Sequence, residues 1–405
     1  MQKPSLNKYD IFLFILIFSL IYGRYGIMYP SSIVTVLCLP FMLGEISSRI
    51  PHYLKPYCLF FSFWLFYGFI SLTWTPSKTW SFDYSLLLIH CLLFLEILVF
   101  SKKARSPLSV ISNAWVAAFL FSSFFAIWEI LSDNHLASAR EENMYRINEM
   151  GDSLIKTYAT FTFYNPNTYC FYITLAFPFI VYKLANSKSL ASTFCNLFPL
   201  LIAFYILFTN ASRGALLSTG IMLAVFSFFT LKKAKTRNRL YFLSAFVCIL
   251  LIFSLYGEAL LETIIFRIEG KAMLEDNSRI ALWESSISAI KNSYGLGQGV
   301  GSMLPALMIP DNDTTIYYSH NMILEIMLEY GALITLIFIY FLYLILKSAY
   351  RMRDISKKTV LYGSILAFPF YSVINSENIR PTFVWCFFAS LAVFMRMYKS
   401  DVMSN

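Results

Sequence analysis

The residues of this sequence best suited to chemistry are a histidine and a few arginines that lie where apolar runs begin or end. His320 closes a polar stretch and opens the run "SHNMILEIMLEYGALITLIFI". An imidazole titrates near neutrality and can accept a proton from a hydroxyl group, which is what a general base must do. The alternative interpretation is an interfacial histidine that caps a helix. His52, His90 and His135 lack this placement.

Arg213 lies in "TNASRGALLSTG", between two apolar runs that are only a few residues apart. A guanidinium at the level of the lipid headgroups is costly unless it snorkels or meets an anion. Its planar set of N–H donors suits bidentate phosphate binding, and a diphosphate attached to a lipid would present its charge at that depth. Arg213 is therefore a candidate diphosphate ligand, with a snorkelling anchor as the alternative.

Three more arginines share this outer position. Arg279 stands four residues before Trp283 on a predicted surface helix, and Arg24 and Arg380 occupy short loops. Most charges at such positions are simply solvated, so each is a candidate only in company with other residues. A basic residue in a short outer loop departs from the usual distribution of charge in membrane proteins, which invites a functional question.

A polar stripe follows His320 into the next helix. Asn321, Glu325 and Glu329 are spaced four residues apart, so they share one face of a helix whose other faces are apolar. Such a stripe should face the protein interior or a wet cavity rather than lipid. We expect Asn321 to orient His320, and the two glutamates to line the interior, where an outer-side arginine would be a suitable partner.

The elements that hold these residues are predicted to be membrane spans. The 405 residues are 58% hydrophobic and 14% charged, with a mean hydropathy of +0.61, whereas soluble domains carry about a quarter charged residues. Apolar runs close to the length needed to cross a bilayer follow one another along the chain. We predict an all-α integral membrane protein, one polytopic domain over residues 1–405, with about twelve spans at 9–28, 31–46, 57–74, 82–100, 108–131, 160–182, 194–210, 214–231, 240–257, 321–347, 359–375 and 380–397.

The basic residues indicate how the chain is oriented. They concentrate in alternate loops, as in "KKAKTRNR" at 232–239, so both termini are predicted to be cytoplasmic. This distribution accounts for the net charge of +9 without a nucleic-acid partner. The seven cysteines are scattered singly, which argues against a disulfide framework or a zinc site.

The largest outer segment is predicted at 258–320, between the ninth and tenth spans. Within it, residues 276–292 carry apolar side chains at helical spacing, which predicts a surface helix with Asp276 or Asn277 as its N-cap. The glycines of the following "YGLGQGVGSMLP" permit tight turns. A dinucleotide-binding or P-loop interpretation fails because the G-x-G-x-x-G spacing is absent.

Three of these stretches, taken in order, are similar to one known family. The succession "NASRGALLSTG", "DNSRIALWESSISAIKNSYGLGQGVGS" and "SHNMILEIMLEYGALITLIFI" resembles the bacterial O-antigen ligase and O-antigen polymerase superfamily. "FTFYNPNTYCFYITLAFP", which contains Asn167, is similar to a block of its polymerase-like members, and the resemblance covers about residues 160–345. It implies a multi-span glycosyltransferase of the bacterial cytoplasmic (inner) membrane whose active site faces the periplasm or exterior.

The resemblance also implies roles for individual residues. Arg213 and Arg279 would engage the diphosphate of an undecaprenyl-diphosphate-linked glycan donor, and His320 would be the catalytic base. No cofactor or metal ion is expected. The expected partners are the lipid-linked donor, a glycan or lipid-linked acceptor and the lipid bilayer, with a chain-length regulator as a further candidate.

The acceptor separates the possible functions. The Asn-Pro-Asn block favours a polymerase that joins lipid-linked repeat units of an O-antigen or capsule-type polysaccharide. The alternative is a ligase that transfers the glycan to lipid A core or another terminal acceptor. A flippase or transporter of lipid-linked glycans is the alternative of a different class, but such a protein is expected to show paired halves and polar groups near the midplane, whereas the polar groups here gather at the outer end.

Overall fold

The chain is built almost entirely of helices. The computed structural model describes residues 7–23, 29–46, 50–136, 145–147, 153–155, 158–210, 212–233, 279–307 and 318–403. The helices in these ranges are α1 (Lys8–Phe18, followed by a 3₁₀ turn, Ser19–Ile21), α2 (Pro30–Glu45), α3 (Lys55–Ser71), α4 (Trp80–Lys103), α5 (Pro107–Ser132), α6 (Pro166–Ala185), α7 (Leu190–Thr209), α8 (Arg213–Lys233), α9 (279–292), α10 (Met303–Leu307), α11 (Met322–Arg351), α12 (Ile355–Tyr371) and α13 (Thr382–Met403).

The predicted helical character is confirmed, with one small addition. Strands β1 (Tyr145–Ile147) and β2 (Ser153–Ile155) pair antiparallel between α5 and α6. The predicted surface helix is present at 279–292, and its expected N-cap residues, Asp276 and Asn277, lie outside the described residues.

The apolar helices make this a multi-pass membrane protein. In the described part of the chain, α4, α5, α6, α7 and α11 are long and apolar enough to cross a membrane, and α2, α8 and α13 contain shorter apolar helices. The predicted number of twelve spans is not confirmed, and the predicted span at 240–257 lies outside the described residues. The cytoplasmic location of both termini stays a prediction.

Several predicted span boundaries differ from the helices, and local chemistry explains one of them. The span expected at 9–28 is helical only to Ile21 among the described residues. The span expected at 160–182 begins at Pro166, because Asn165 is the N-cap of α6 and its side-chain oxygen accepts the backbone N–H of Asn167 at 2.8 Å. Proline suits the first helical turn, where its missing N–H costs nothing. The span expected at 359–375 ends at Tyr371, and residues 372–381 form the non-helical α12–α13 loop.

The helices pack around a buried centre. α6 is buried along most of its length, which fits a helix that is apolar on all sides. α8 packs against α12, and α4 packs against α13. In contrast, α11 leaves Leu333, Leu336 and Ile339 exposed, as expected for a surface that faces lipid.

The long helix α11 is interrupted at Gly331, whose φ of 75° and ψ of 178° lie outside the helical region. Backbone groups released by a break at membrane depth need other partners. The glycine loop, residues 293–302, supplies them: the N–H of Gln298 donates to the Leu328 carbonyl at 2.6 Å, and the N–H of Ala332 donates to the Gly295 carbonyl at 2.8 Å. The outer segment is thus hydrogen-bonded into a membrane helix.

The same loop is fixed on its other side by the residues that follow α3. The indole of Trp74 donates to the Gly297 carbonyl at 3.1 Å, and the hydroxyl of Thr75 donates to the Val300 carbonyl at 2.8 Å. Gly297 has a φ of 84°, and a Cβ placed on it would lie 2.6 Å from the nitrogen of Gly331. The glycines therefore allow close backbone approach as well as turns.

Candidate functional site

Four elements meet at the α12–α13 loop. The N–H of Met322, the first residue of α11, donates to the Ser372 carbonyl at 3.0 Å. The hydroxyl of Thr168 on α6 donates to the side-chain oxygen of Asn375 at 2.8 Å. The starts of α8 and α9 reach the same loop, as described below. The loop therefore gathers, at one end of the bundle, the regions that carry the predicted site residues.

His320 occupies the turn that leads into α11. Its φ of 50° is left-handed, a conformation that costs free energy for a residue with a side chain and is concentrated at functional sites. The indole of Trp283 on α9 donates to the carbonyl of Ser319 at 2.7 Å, so α9 is fastened to the residue directly before the histidine. The imidazole is 8% exposed, and its Nδ1 has no hydrogen-bond partner among the described residues.

Arg279 lies close enough to His320 to act on it electrostatically. Burial, reinforced by the positive charge of Arg279, lowers the pKa of His320 from 6.5 to about 3. The imidazole is therefore neutral at physiological pH and able to accept a proton. Arg279 also directs Nη1 at the carbonyl of Val373 in the α12–α13 loop, at 3.5 Å.

Arg213 is the first residue of α8 and is exposed. The next residue, Gly214, packs against the end of α12 and the α12–α13 loop: a Cβ at this position would lie 3.0 Å from a side-chain carbon of Ile374 and 3.4 Å from the carbonyl oxygen of Phe370. The small residue thus lets the start of α8 approach the loop that Arg279 also reaches. An exposed guanidinium at a helix start, where backbone N–H groups are available, is well suited to an anion.

Asn321, which we expected to orient His320, caps the helix that follows. Among the described residues its side-chain oxygen accepts the backbone N–H groups of Ile323 and Leu324, at 3.0 and 3.3 Å. These bonds identify it as the N-cap of α11. Asn321 therefore acts on His320 only by fixing where the helix begins.

Glu325 holds the α12–α13 loop. Its carboxylate is 1% exposed and accepts the backbone N–H groups of Asn378 and Ile379, at 2.7 and 3.1 Å, together with the side-chain amide of Asn378 at 2.7 Å. The expected partner was an arginine, but backbone and amide donors take that place. The prediction that the residue lines the interior is correct.

Glu329 lies one turn further along α11 and borders a cavity of about 20 Å³, whose other walls include Asp83, His90 and Arg380. That volume suffices for about one water molecule. Burial lowers the pKa of Arg380, but Tyr318, Glu377, Asp83 and Glu329 raise it by more, so the guanidinium stays charged. An outer-side arginine therefore does share the environment of one of the two glutamates.

The remaining predicted residues have other positions. Arg24 lies outside the described residues. The backbone N–H of Asn167 is bound by Asn165 at the start of α6, so the Asn-Pro-Asn block has a structural explanation. In the described part of the chain, His, Cys, Asp and Glu side chains form no group of three or more that could hold a metal ion.

Three residues at this end of the bundle were missed by the sequence reasoning. Asp83 forms an ion pair with Arg380, Tyr318 accepts a hydrogen bond from the same arginine, and Asn378 donates to Glu325. Asp83 carried a usable signal, since it is an acidic residue within a predicted span, where ionisable groups need a partner.

Comparison with known proteins found two similarities. Residues 198–339, from α7 to beyond the break in α11, match a family described as O-antigen ligase. The chain is also 25% identical over 351 residues to the teichuronic acid biosynthesis protein TuaE of Bacillus subtilis, covering 83% of this chain and 70% of the relative. Both similarities support the O-antigen ligase and polymerase superfamily, which the sequence motifs resemble.

Both similarities point to polysaccharide assembly, and the described part of the chain has several helices apolar enough to cross a membrane. The matched range contains Arg213, Arg279 and His320, and it also contains the glycine loop and both glutamates of α11. The predicted base and the two predicted diphosphate ligands therefore fall within the matched range, whereas Arg24, Asn167 and Arg380 lie outside it.

Proposed function

We propose that this protein polymerises oligosaccharide repeat units carried on a lipid diphosphate, at the outer face of the bacterial cytoplasmic membrane. The observation that supports the proposal is the meeting of Arg213, Arg279 and His320 around the α12–α13 loop. A neutral, buried imidazole with Arg279 close to it, and Arg213 at a helix start that packs against the same loop, suit a reaction that deprotonates a hydroxyl group and releases a negatively charged diphosphate.

In the proposed reaction, His320 removes the proton from a hydroxyl group of the acceptor sugar. The resulting oxygen attacks the anomeric carbon of the donor sugar, and the bond from that carbon to the lipid diphosphate breaks. Arg213 and Arg279 offset the negative charge that develops on the departing diphosphate, an effect that is stronger in a site poor in water. The reaction needs no nucleotide sugar and, in this proposal, no metal ion.

Arg279 would also couple donor binding to the strength of the base. In the free protein its positive charge disfavours protonation of His320. A bound diphosphate would offset that charge, so the pKa of His320 would rise towards its usual value when the donor is in place. A base with a pKa closer to the working pH accepts a proton more readily, and His320 would become effective only when the leaving group is present.

The direct test is His320→Ala in a reconstituted transfer assay with a lipid-diphosphate-linked glycan. We expect glycan transfer to be abolished while the protein remains folded in detergent. His52→Ala is the matched control, because His52 is exposed and is predicted to lie on the cytoplasmic side. Transfer retained by His320→Ala would overturn the assignment of the base, and transfer lost on addition of a chelator would overturn metal independence.

Arg213→Lys tests the mode of diphosphate binding. Lysine keeps the positive charge but loses the planar pair of donors, so bidentate binding predicts weaker use of the donor. Arg351→Lys is the control, since Arg351 is exposed at the far end of α11. Unchanged donor use by Arg213→Lys would contradict bidentate binding.

Ligation is the second candidate function, and the description of the matching family as O-antigen ligase favours it. The relative named for teichuronic acid biosynthesis is in keeping with polymerisation. A deletion mutant distinguishes the alternatives. Single repeat units that accumulate outside the membrane indicate a polymerase, and long glycan left on the lipid carrier indicates a ligase. Repeat units trapped inside the cell would indicate a flippase and contradict both transferase functions.

A further inference from the structure

A second polar cluster lies next to His320 and has no part in the reaction described above. Arg380, in the α12–α13 loop, places Nη2 at 2.8 Å from Oδ1 of Asp83 on α4. Its Nη1 donates to the hydroxyl of Tyr318 at 3.1 Å, and the guanidinium carbon lies 5.6 Å from the centre of the Tyr318 ring. One side chain thus connects α4, the α12–α13 loop and the segment that carries His320.

The ion pair in this cluster is largely shielded from water. The side chains of Arg380 and Asp83 are 17% and 5% exposed. Separating two such charges would leave each of them poorly solvated, so the ion pair should stay intact. Burial raises the pKa of Tyr318, which keeps its phenol protonated. The contact from Arg380 to Tyr318 is therefore a lasting feature of the folded protein.

Tyr318 is separated from His320 only by Ser319, so a contact that fixes it also limits where the imidazole can point. Trp283 holds the carbonyl of Ser319 from α9. Arg380 holds Tyr318 from the α4 side. Between these two contacts His320 adopts a left-handed backbone conformation, which persists only where its surroundings enforce it.

We propose that Arg380, held in place by Asp83, is a positioning residue that orients His320 through Tyr318. The proposal rests on the function of His320 as the base. It assigns Arg380 a task different from that of Arg213 and Arg279, because Arg380 is held in a shielded ion pair with Asp83. Asp83 and Tyr318 contribute to the same positioning. None of Asp83, Tyr318 and Arg380 needs to contact the substrate.

The test combines kinetics with a direct signal from the histidine. The chain has four histidines, so histidine-labelled full-length protein in detergent should give few imidazole NMR signals, and His320→Ala identifies the one that matters. Asp83→Asn, Arg380→Gln and Tyr318→Phe should each shift the His320 signal. They should lower kcat, by up to about a hundredfold, while KM for the donor stays within a factor of about two, because a small misplacement of a catalytic group has effects of this size.

The double variant Asp83→Asn/Arg380→Gln should be no worse than either single variant, since both act through one contact. Arg396→Gln is the matched control. Arg396 is on α13, towards the end of that helix that is far from Arg380. It donates to the Leu98 carbonyl and the Ser101 hydroxyl of α4 and lies over the ring of Tyr53. It should leave both the His320 signal and kcat unchanged.

Two results would overturn the proposal. One is an unchanged His320 signal in Tyr318→Phe, which removes a single hydroxyl group and should fold even if the charge variants do not. The other is a raised donor KM with unchanged kcat in Arg380→Gln, which would make Arg380 a donor ligand. Failure of the proposed function would look different: His320→Ala would keep its transfer activity. The NMR signals of the variants would still show whether Arg380 and Tyr318 position His320.

Discussion

Replacing Glu325 by alanine is expected to destabilise the protein severely. The carboxylate accepts hydrogen bonds from three buried donors, the backbone N–H groups of Asn378 and Ile379 and the side-chain amide of Asn378. Alanine would leave these three groups without their acceptor. Each buried donor left unsatisfied costs about 1–3 kcal/mol, so the sum is about 3–9 kcal/mol. Since folded proteins are stable by about 5–15 kcal/mol, this is a large part of the total.

Glu325→Gln should have a smaller effect. Glutamine keeps the shape and one acceptor oxygen, but its NH₂ group would face a backbone N–H donor. The expected order of stability is wild type, then Glu325→Gln, then Glu325→Ala. Glu284→Ala, on the exposed face of α9, is the control and should resemble the wild type.

The assay is thermal unfolding of the purified protein in detergent, followed by intrinsic fluorescence and by size-exclusion chromatography after heating. Glu325→Ala should lower Tm by about 5 °C or more. It should also impair glycan transfer, because the α12–α13 loop is the meeting point of the site. If Glu325→Ala unfolds at the wild-type temperature, the three hydrogen bonds do not stabilise the loop, and the argument that this loop organises the site fails.

Two further predictions concern the base and the glycine loop. Because the pKa of His320 is about 3, the kcat/KM of the wild type should show no loss due to this residue between pH 8 and about pH 5. Arg279→Gln removes a positive charge that disfavours protonation of His320, so the pH at which kcat/KM falls on acidification should rise. It should stay below 6.5, because burial still lowers the pKa of His320. An unchanged pH profile would refute the coupling between Arg279 and His320. Gly297→Ala should destabilise the protein, because its Cβ would lie 2.6 Å from the nitrogen of Gly331 at a φ of 84°. Gly220→Ala, with open space around the added carbon, is its control, and equal melting temperatures for the two variants would contradict the docking of the loop.

Residue chemistry, together with the succession of motifs, was enough to select Arg213, Arg279 and His320. A basic group or an imidazole at the edge of an apolar run is visible in the sequence because it is costly there. The helices themselves were predictable for the same reason, since their apolar runs are long. Their ends were less so: the start of α6 depends on the cap formed by Asn165 and Pro166, which the hydropathy of the segment does not reveal.

The α12–α13 loop could not be predicted, because its role depends on contacts between distant parts of the chain. Helical periodicity shows that Glu325 and Glu329 share a face, but not that Asn378 and Arg380 lie opposite them. The same limit applies to Asp83. The sequence indicates that this buried acid needs a partner, but it does not identify Arg380 as that partner. Which residues share a face follows from local geometry, whereas what that face meets depends on the packing of whole helices.

The break in α11 explains how one helix can serve two environments. On the C-terminal side of Gly331, exposed apolar residues such as Leu333 and Leu336 suit contact with lipid. On the N-terminal side of Gly331, the segment from Met322 to Tyr330 carries two buried glutamates and begins two residues after His320. Polar groups at this depth are tolerable only where protein surrounds them, and the glycine loop provides that cover by bonding to the carbonyls of Leu328 and Glu329. The segment that carries Arg279 is therefore bonded at two points, to α11 at its break and to Ser319 through Trp283. These bonds fix Arg279 and His320 relative to each other.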